Sequence, residues 1–213
     1  MYDLTKAKNK EMQAFAKRVG FKDIFLISSD VKDADAFLIE KVKDYKKEVL
    51  KARKRFVLVI VSGNGDVKRN REIVEASPDV LLSPSLGKRD FMKERNSGLD
   101  HIICKIAAKN KVAIGIHFNE ILYASEKQRA VILGRIMQNI KLCRKYKVGM
   151  LLATFASSLL EMRAVQDLIA FAQAIGMTPV EAKKSLSMAA EIVRRNKEKK
   201  KPEYVAEGIR ILK

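Results

Sequence analysis

Apolar positions in this chain follow two rhythms, and the change from one to the other marks out its elements. Residues 24–27 (IFLI), 56–61 (FVLVIV), 80–82 (VLL), 112–116 (VAIGI) and 149–153 (GMLLA) are near-continuous apolar runs. Several stop at small polar residues, among them Ser28, Ser62, Ser83 and Thr154. Runs of this length predict strands with both faces buried, as in a parallel sheet. Residues 2–4 predict a short first strand and residues 208–212 a closing one, about seven strands in all.

Between the strands the period lengthens to that of a helix. Met12, Phe15, Ala16 and Val19 make an apolar stripe over residues 6–19, and Gly20 is placed to cap it. A helix is predicted over residues 34–55, with a break allowed near its middle, and a shorter one over 67–75. Residues 125–146 predict a long helix, where Ser125 and Gln128 resemble a capping box. Val165, Leu168, Ile169 and Ala172 share one face of a helix over 160–175. Thr178-Pro179-Val180-Glu181 is a strong helix start, with a capping residue, proline at the first helical position and glutamate at the third. That helix runs into residues 194–201, RRNKEKKK, and Pro202 is expected to stop it.

The chain centres on residues 78–120. There a strand, a charged loop, a helix with Leu99, Ile102, Ile103 and Ile106 on one stripe, and a second strand read as a βαβ unit. Its βα scaffold is expected to hold a basic, flexible loop carrying Lys88, Arg89, Lys93 and Arg95. Ser62-Gly63-Asn64-Gly65 reads as a turn, because no phosphate-binding glycine fingerprint follows it. Even βα spacing without such a fingerprint points to an α/β chain: a TIM-barrel-like (β/α) barrel of about seven parallel strands with outer helices, one domain over residues 1–213.

Charge sharpens this picture. The chain carries 43 basic and 25 acidic residues, a net charge of +18. Such an excess repels itself in a compact state unless a polyanion offsets it, and nucleic acid is the commonest such partner. A membrane is not expected: no apolar run reaches the roughly 18 residues of a span, and the start MYDLTKAKNK has no apolar signal region. The expectation is a cytoplasmic protein. Cys104 and Cys143 lack metal-ligand spacing and read as two buried free thiols.

Candidate phosphate contacts are Arg69, Arg71, Lys88, Arg89, Lys93, Arg95, Lys105, Lys197, Lys199 and Lys200. The loop residues and Arg69/Arg71 follow strands and are expected to share one face. Phe91 is either a stacking platform for a base or a core anchor. Catalytic chemistry has less support. The chain has two histidines, His101 and His117, and a barrel metallohydrolase needs several histidines and carboxylates converging at strand ends. His117 with Glu120 is the one suggestive pair, and a structural role is expected for it. An independent barrel metallohydrolase is the alternative reading, but no catalytic or metal residue is assigned.

The runs NREIVEASPDVLLSP (70–84) and NSGLDHIICKIAAKNKVAIGI (96–116), with RDF (89–91) between them, resemble the archaeal and eukaryotic ribonuclease P protein component 3 family. The resemblance implies a barrel related to the polymerase and histidinol phosphatase enzymes. Those hold metals through an HxH motif on the first strand, and residues 1–4 here contain no histidine. It also implies a function: a ribonuclease P subunit that binds the catalytic RNA and supports removal of 5′ leaders from precursor tRNA, without catalysing the cut itself. The implied partners are ribonuclease P RNA, ribonuclease P protein component 2, other ribonuclease P proteins, and precursor tRNA as the holoenzyme's substrate. Magnesium would serve the RNA, with no cofactor for this chain.

Overall fold

The computed structural model describes residues 1–29, 34–87, 90, 92–201, 203–206 and 209–210. Among these residues, seven parallel strands pair in chain order: β1 (Tyr2–Thr5), β2 (Asp23–Ser28), β3 (Ala36–Ile39), β4 (Leu58–Ser62), β5 (Val80–Leu82), β6 (Ala113–His117) and β7 (Met150–Ala153). The helices are α1 (Lys10–Arg18), α2 (Tyr45–Arg55), α3 (Val67–Glu75), α4 (His101–Asn110), α5 (Phe118–Tyr123), α6 (Glu126–Tyr146), α7 (Val165–Ala174) and α8 (Pro179–Lys199).

The strands lack alternation because each of their faces meets a different core. Leu58 and Ile60, Val80 and Leu82, and Leu151 and Ala153 point into the barrel. Val59 and Val61, Leu81, and Leu152 point outward against the helices. The inner core is completed by Met188, Ala189, Ile192 and Val193 of α8. This helix lies across the end of the barrel where the strands begin. Its far end is tied there by the Asn196 side chain, which donates to the Val57 carbonyl at 2.8 Å and to Asp79 at 2.9 Å.

The ring closes between β1 and the residues after β7. The N–H of Phe155 donates to the Leu4 carbonyl and that of Lys6 to the Ala156 carbonyl, both at 2.8 Å. Beneath this seam sits Asp3, 1% exposed. Its carboxylate accepts from the N–H groups of Leu4 and Thr154 at 2.9 Å and from the Thr154 hydroxyl at 2.5 Å. Burial pushes its pKa up to about 6, although those hydrogen bonds pull it down.

Four expectations need correction. Residues 36–39 form β3 rather than part of a helix, because Ala36 and Leu38 fill the barrel while Phe37 and Ile39 meet the outer layer. The helix begins only at Tyr45, capped by Asp44. Ile209–Arg210 does not join the barrel but pairs antiparallel with Tyr204–Ala206; the rest of the expected closing strand, and the stop at Pro202, lie outside the described residues. Ser125 makes no capping hydrogen bond; Arg129 instead reaches back to the carbonyls of Ile121, Leu122 and Ala124. Finally, α7 starts at Val165, after a single 3-10 turn at Leu159–Glu161. By contrast, Thr178 and Glu181 form the expected reciprocal cap.

The Asp3 seam makes stability depend on pH. The unfolded carboxyl releases its proton near 3.8 and the folded one near 6. The native state therefore holds an extra proton between these values, and stability falls as pH rises through that window. Asp3→Asn keeps the acceptor and supplies a donor for the Thr154 hydroxyl. Urea midpoints measured from pH 4 to 7 should lose this component of the slope in Asp3→Asn and stand higher than wild type above pH 6. Asp3→Ala leaves buried donors unpaired and should cost about 1–3 kcal/mol for each.

Candidate nucleic-acid interface

In a parallel barrel the outer helices run back against the strands, so their C-termini gather where the strands start. Cations in the last turn complement the negative end of a helix, and this chain places them there repeatedly. Lys17 and Arg18 end α1; Arg53, Lys54 and Arg55 end α2; Lys109 ends α4; Arg144 and Lys145 end α6. Because α8 crosses the same end, it adds Lys197 and Lys199. Its start is held by Arg144, which grips Glu181 with two hydrogen bonds of 2.8 and 2.6 Å.

At the centre of this end one buried carboxylate serves too many cations. Asp79 is 1% exposed and accepts from the Val59 N–H at 2.9 Å. Arg53 approaches it at 3.4 Å and Arg195 at 3.5 Å. Burial depresses the Lys199 pKa, and the neighbouring charges of Arg195, Arg53 and Lys111 depress it further. Lys200 reaches the Phe56 carbonyl at 3.4 Å. Cationic groups thus outnumber the anion available to them, and the outward-facing ones can meet phosphate.

The opposite end, where the strands finish, is built differently. Asn70 is fully buried, and its amide donates to the carbonyls of Asn64 and Gly98, the latter at 2.9 Å. Arg135, 2% exposed, binds Asp90 at 2.7 Å and the Ser85 carbonyl at 2.9 Å. Asn139 donates to the Ser97 carbonyl at 2.9 Å. A Cβ on Gly98 would stand 1.9 Å from the Pro84 carbonyl oxygen, so this approach requires glycine. These contacts hold residues 85, 90, 97 and 98 of the loop, while Lys88, Arg89 and Phe91 lie outside the described residues.

The remaining candidates divide. Lys93, Lys105, Lys197, Lys199 and Lys200 are exposed. Arg71 is half exposed and paired with Glu75 at 3.0 Å. Arg69 is committed to structure: it donates to the Tyr45 hydroxyl at 2.6 Å and to the Glu40 carbonyl. Arg95 lies over Gly134 and donates to its carbonyl at 3.1 Å. Arg69 and Arg71 do share the strand-finish end with the loop, but Lys197, Lys199 and Lys200 sit at the other end. Sequence reading missed Arg53 and Arg195. Their common partner Asp79 is 26 residues from Arg53, and no local signal links them.

His117 and Glu120 do come together, as a helix cap. His117 Nδ1 accepts the Glu120 N–H at 3.4 Å, and the Ser83 hydroxyl donates to the Glu120 carboxylate at 2.5 Å. Burial, assisted by Lys6, lowers the His117 pKa to about 3; burial raises that of Glu120 to about 7. Among the described residues, no three His, Cys, Asp or Glu side chains converge to hold a metal. Also among them, no helix is long and apolar enough to cross a membrane. Cys104 and Cys143 are both buried and free.

Residues 38–201 match the model of a family described as RNase P subunit p30. A protein named ribonuclease P protein component 3 from Methanothermobacter thermautotrophicus is 31% identical over 171 residues, covering 80% of this chain and 66% of the relative. One of the same name from Methanococcus maripaludis is 29% identical over 205 residues, or 96% of this chain and 83% of the relative. A chain in the cryo-EM structure of archaeal ribonuclease P with mature tRNA superposes with a TM-score of 0.85 at 23% identity, covering 100% of this chain and 98% of that one. An amidohydrolase crystal structure gives 0.53 at 10% identity, covering 88% of this chain and 46% of that one. At these identities the superpositions establish the barrel fold.

The two neighbouring arginines on α3 should behave oppositely. Arg71→Ala removes an exposed ion pair and should shift stability by less than about 0.5 kcal/mol. Arg69→Ala strips the Tyr45 hydroxyl and a carbonyl of their partner and should cost about 1 kcal/mol or more. Thermal melts of both read this directly. Arg135→Leu strips Asp90 of its ion pair and the Ser85 carbonyl of a donor, and a loss of roughly 2 kcal/mol should lower the melting temperature by about 4–8 °C.

Proposed function

This chain belongs to the RNase P subunit p30 family, and from that membership we propose that it is a protein subunit of ribonuclease P that binds the enzyme's catalytic RNA. In that role it supports the endonucleolytic removal of 5′ leaders from precursor tRNA. The observation that carries this reading is the family match over residues 38–201. The cations gathered where the strands begin give it a physical means.

Each lysine or arginine that meets a phosphate releases condensed counterions, so affinity comes from entropy and falls with added salt. Arginine also clamps a phosphate through two parallel donors. We assign backbone contacts to the exposed Lys93, Lys105, Lys197, Lys199 and Lys200, and to Arg71. Lys88 and Arg89 are assigned on charge alone. Arg69 holds Tyr45 and the Glu40 carbonyl, and Arg95 ties the loop of Lys88, Arg89 and Lys93 to α6. The reading names ribonuclease P RNA, ribonuclease P protein component 2 and other ribonuclease P proteins as partners, with precursor tRNA as the holoenzyme's substrate. Magnesium belongs with the RNA, and the compartment is the cytoplasm. A barrel metallohydrolase is not favoured, since His117 and Glu120 are spent on a helix cap and a hydroxyl.

The test is cleavage of precursor tRNA by the RNA and its other proteins, with and without this chain, together with RNA titrations at several salt concentrations. Cleavage should rise when the chain is added. The log–log salt slope should be about −0.7 to −0.9 per phosphate contacted, using values measured for DNA. Unchanged cleavage with a flat salt response would remove this reading.

A further inference from the structure

A groove lies at the strand-start end, and of its cations only Lys197 is assigned a contact above. It has a volume of about 640 Å³ and runs between α8 and the beginnings of β1 and β2. One wall holds Tyr2 and Phe25, and the rest includes Lys22, Arg194, Lys197 and Lys201.

The two rings already stack on each other, with centroids 4.7 Å apart and planes 9° from parallel. Both have the inward parity of their strands, like Leu4 and Ile27. At this level, however, the barrel opens beside α8, and both rings are only half-buried. The groove therefore keeps a flat aromatic surface in reach of solvent. Arg194 and Lys197 lie one turn apart on α8, and Lys201, just past its end, continues the row along the groove. Two carboxylates also line the groove, Glu191 and Glu198. Glu191 is engaged by the Ser187 hydroxyl at 3.1 Å. Four cations thus stand against two acids around an aromatic step.

An apolar floor by itself would suit a protein side chain, and a cationic row by itself would suit any polyanion. The combination suits an unpaired nucleotide, whose base adds to the stack while its phosphates run along the row. A duplex does not fit, because its bases are already stacked on one another and its edges offer no flat face.

We propose that the groove formed by Tyr2, Phe25, Lys22, Arg194, Lys197 and Lys201 binds a single-stranded segment of RNA, with one base stacked on the aromatic pair. This rests on the RNA-binding reading above and adds to it a place and a strandedness. It also divides the labour of α8: Arg195 and Lys199 face the Asp79 cluster, whereas Arg194, Lys197 and Lys201 face the groove.

The test uses the full chain with a fluorescent single-stranded RNA decamer, the same sequence as a duplex, ribonuclease P RNA, and poly-glutamate as the acidic-polypeptide probe. The single strand should bind more tightly than the duplex. Tyr2→Leu should weaken single-strand binding about tenfold, the equivalent of roughly one lost stack. Tyr2→Phe, which keeps the ring, should bind like wild type. The double variant Lys197→Ala/Lys201→Ala should reduce the salt slope by about 1.4, two single-strand phosphate contacts. Melting temperatures establish that each variant is folded. Photocrosslinking of a 4-thiouridine strand to the wild-type chain needs no variant and should label the peptides holding Tyr2 or Phe25.

Equal affinity for duplex and single strand, or crosslinks confined to other peptides, would overturn the stacking assignment. Poly-glutamate binding as tightly as RNA, and lost in the same variants, would make the groove a protein-docking site instead. Wild-type affinity for ribonuclease P RNA in every groove variant would overturn this inference and leave the broader reading intact. Failure of the wild-type chain to bind that RNA would remove both.

Discussion

A ring of parallel strands has an inside that its own helices cannot reach, and the packing of α8 across one opening is the constraint on which this structure depends. Met188, Ala189, Ile192 and Val193 enter the barrel from the strand-start end and complete the core formed by Leu58, Ile60, Val80, Leu82 and Leu151. Without them that apolar floor would face water, at about 25 cal/mol for each Å² exposed. The helix is anchored at both ends by polar contacts: Arg144 on Glu181 at its start, and Asn196 on Val57 and Asp79 near its finish.

The same packing decides where charge accumulates. Antiparallel return of the outer helices brings their cationic C-termini to the end that α8 closes. The helix then adds its own basic tail to that rim. Charge placed one residue at a time to suit helix ends thus becomes a surface with one dominant sign. Asp79 is the buried counterweight at its centre: it holds Arg53 and Arg195 in place without cancelling what the lysines present outward. At the opposite end, Asn70, Arg135 and Asn139 are buried to hold loop carbonyls and Asp90. These buried polar side chains occupy the end where barrel enzymes keep their chemistry. His117 and Glu120 serve the loops too, one capping α5 and the other receiving the Ser83 hydroxyl.

Much of this was legible along the chain, for a local reason. A strand buried on both faces has to be apolar at successive positions, so IFLI, FVLVIV, VLL and VAIGI announce themselves whatever surrounds them. The cap at Thr178 and Glu181 is equally local, since both partners lie within one turn. So is the net charge, from which a polyanionic partner is expected on electrostatic grounds. The runs at 70–84 and 96–116 meet where the Asn70 amide donates to the Gly98 carbonyl and Gly98 passes too close to Pro84 for a Cβ.

What tertiary structure alone decided is pairing at a distance. β3 is four residues long, and its neighbours β2 and β4 make it a strand; read alone, it merged into the helix that follows. Residues 208–212 are expected from sequence to close the sheet, but Ile209–Arg210 pairs with Tyr204–Ala206 and the seam is taken by the Leu4 and Ala156 carbonyls. Which arginines are free to meet phosphate was likewise out of reach, because Arg69 is spent on Tyr45 and Arg195 on Asp79 through contacts that span large parts of the chain. Composition and period determined that this chain would be a basic parallel barrel. Only folding determined which of its cations remain available, because a charged side chain carries no local mark of whether a distant acid or carbonyl will claim it.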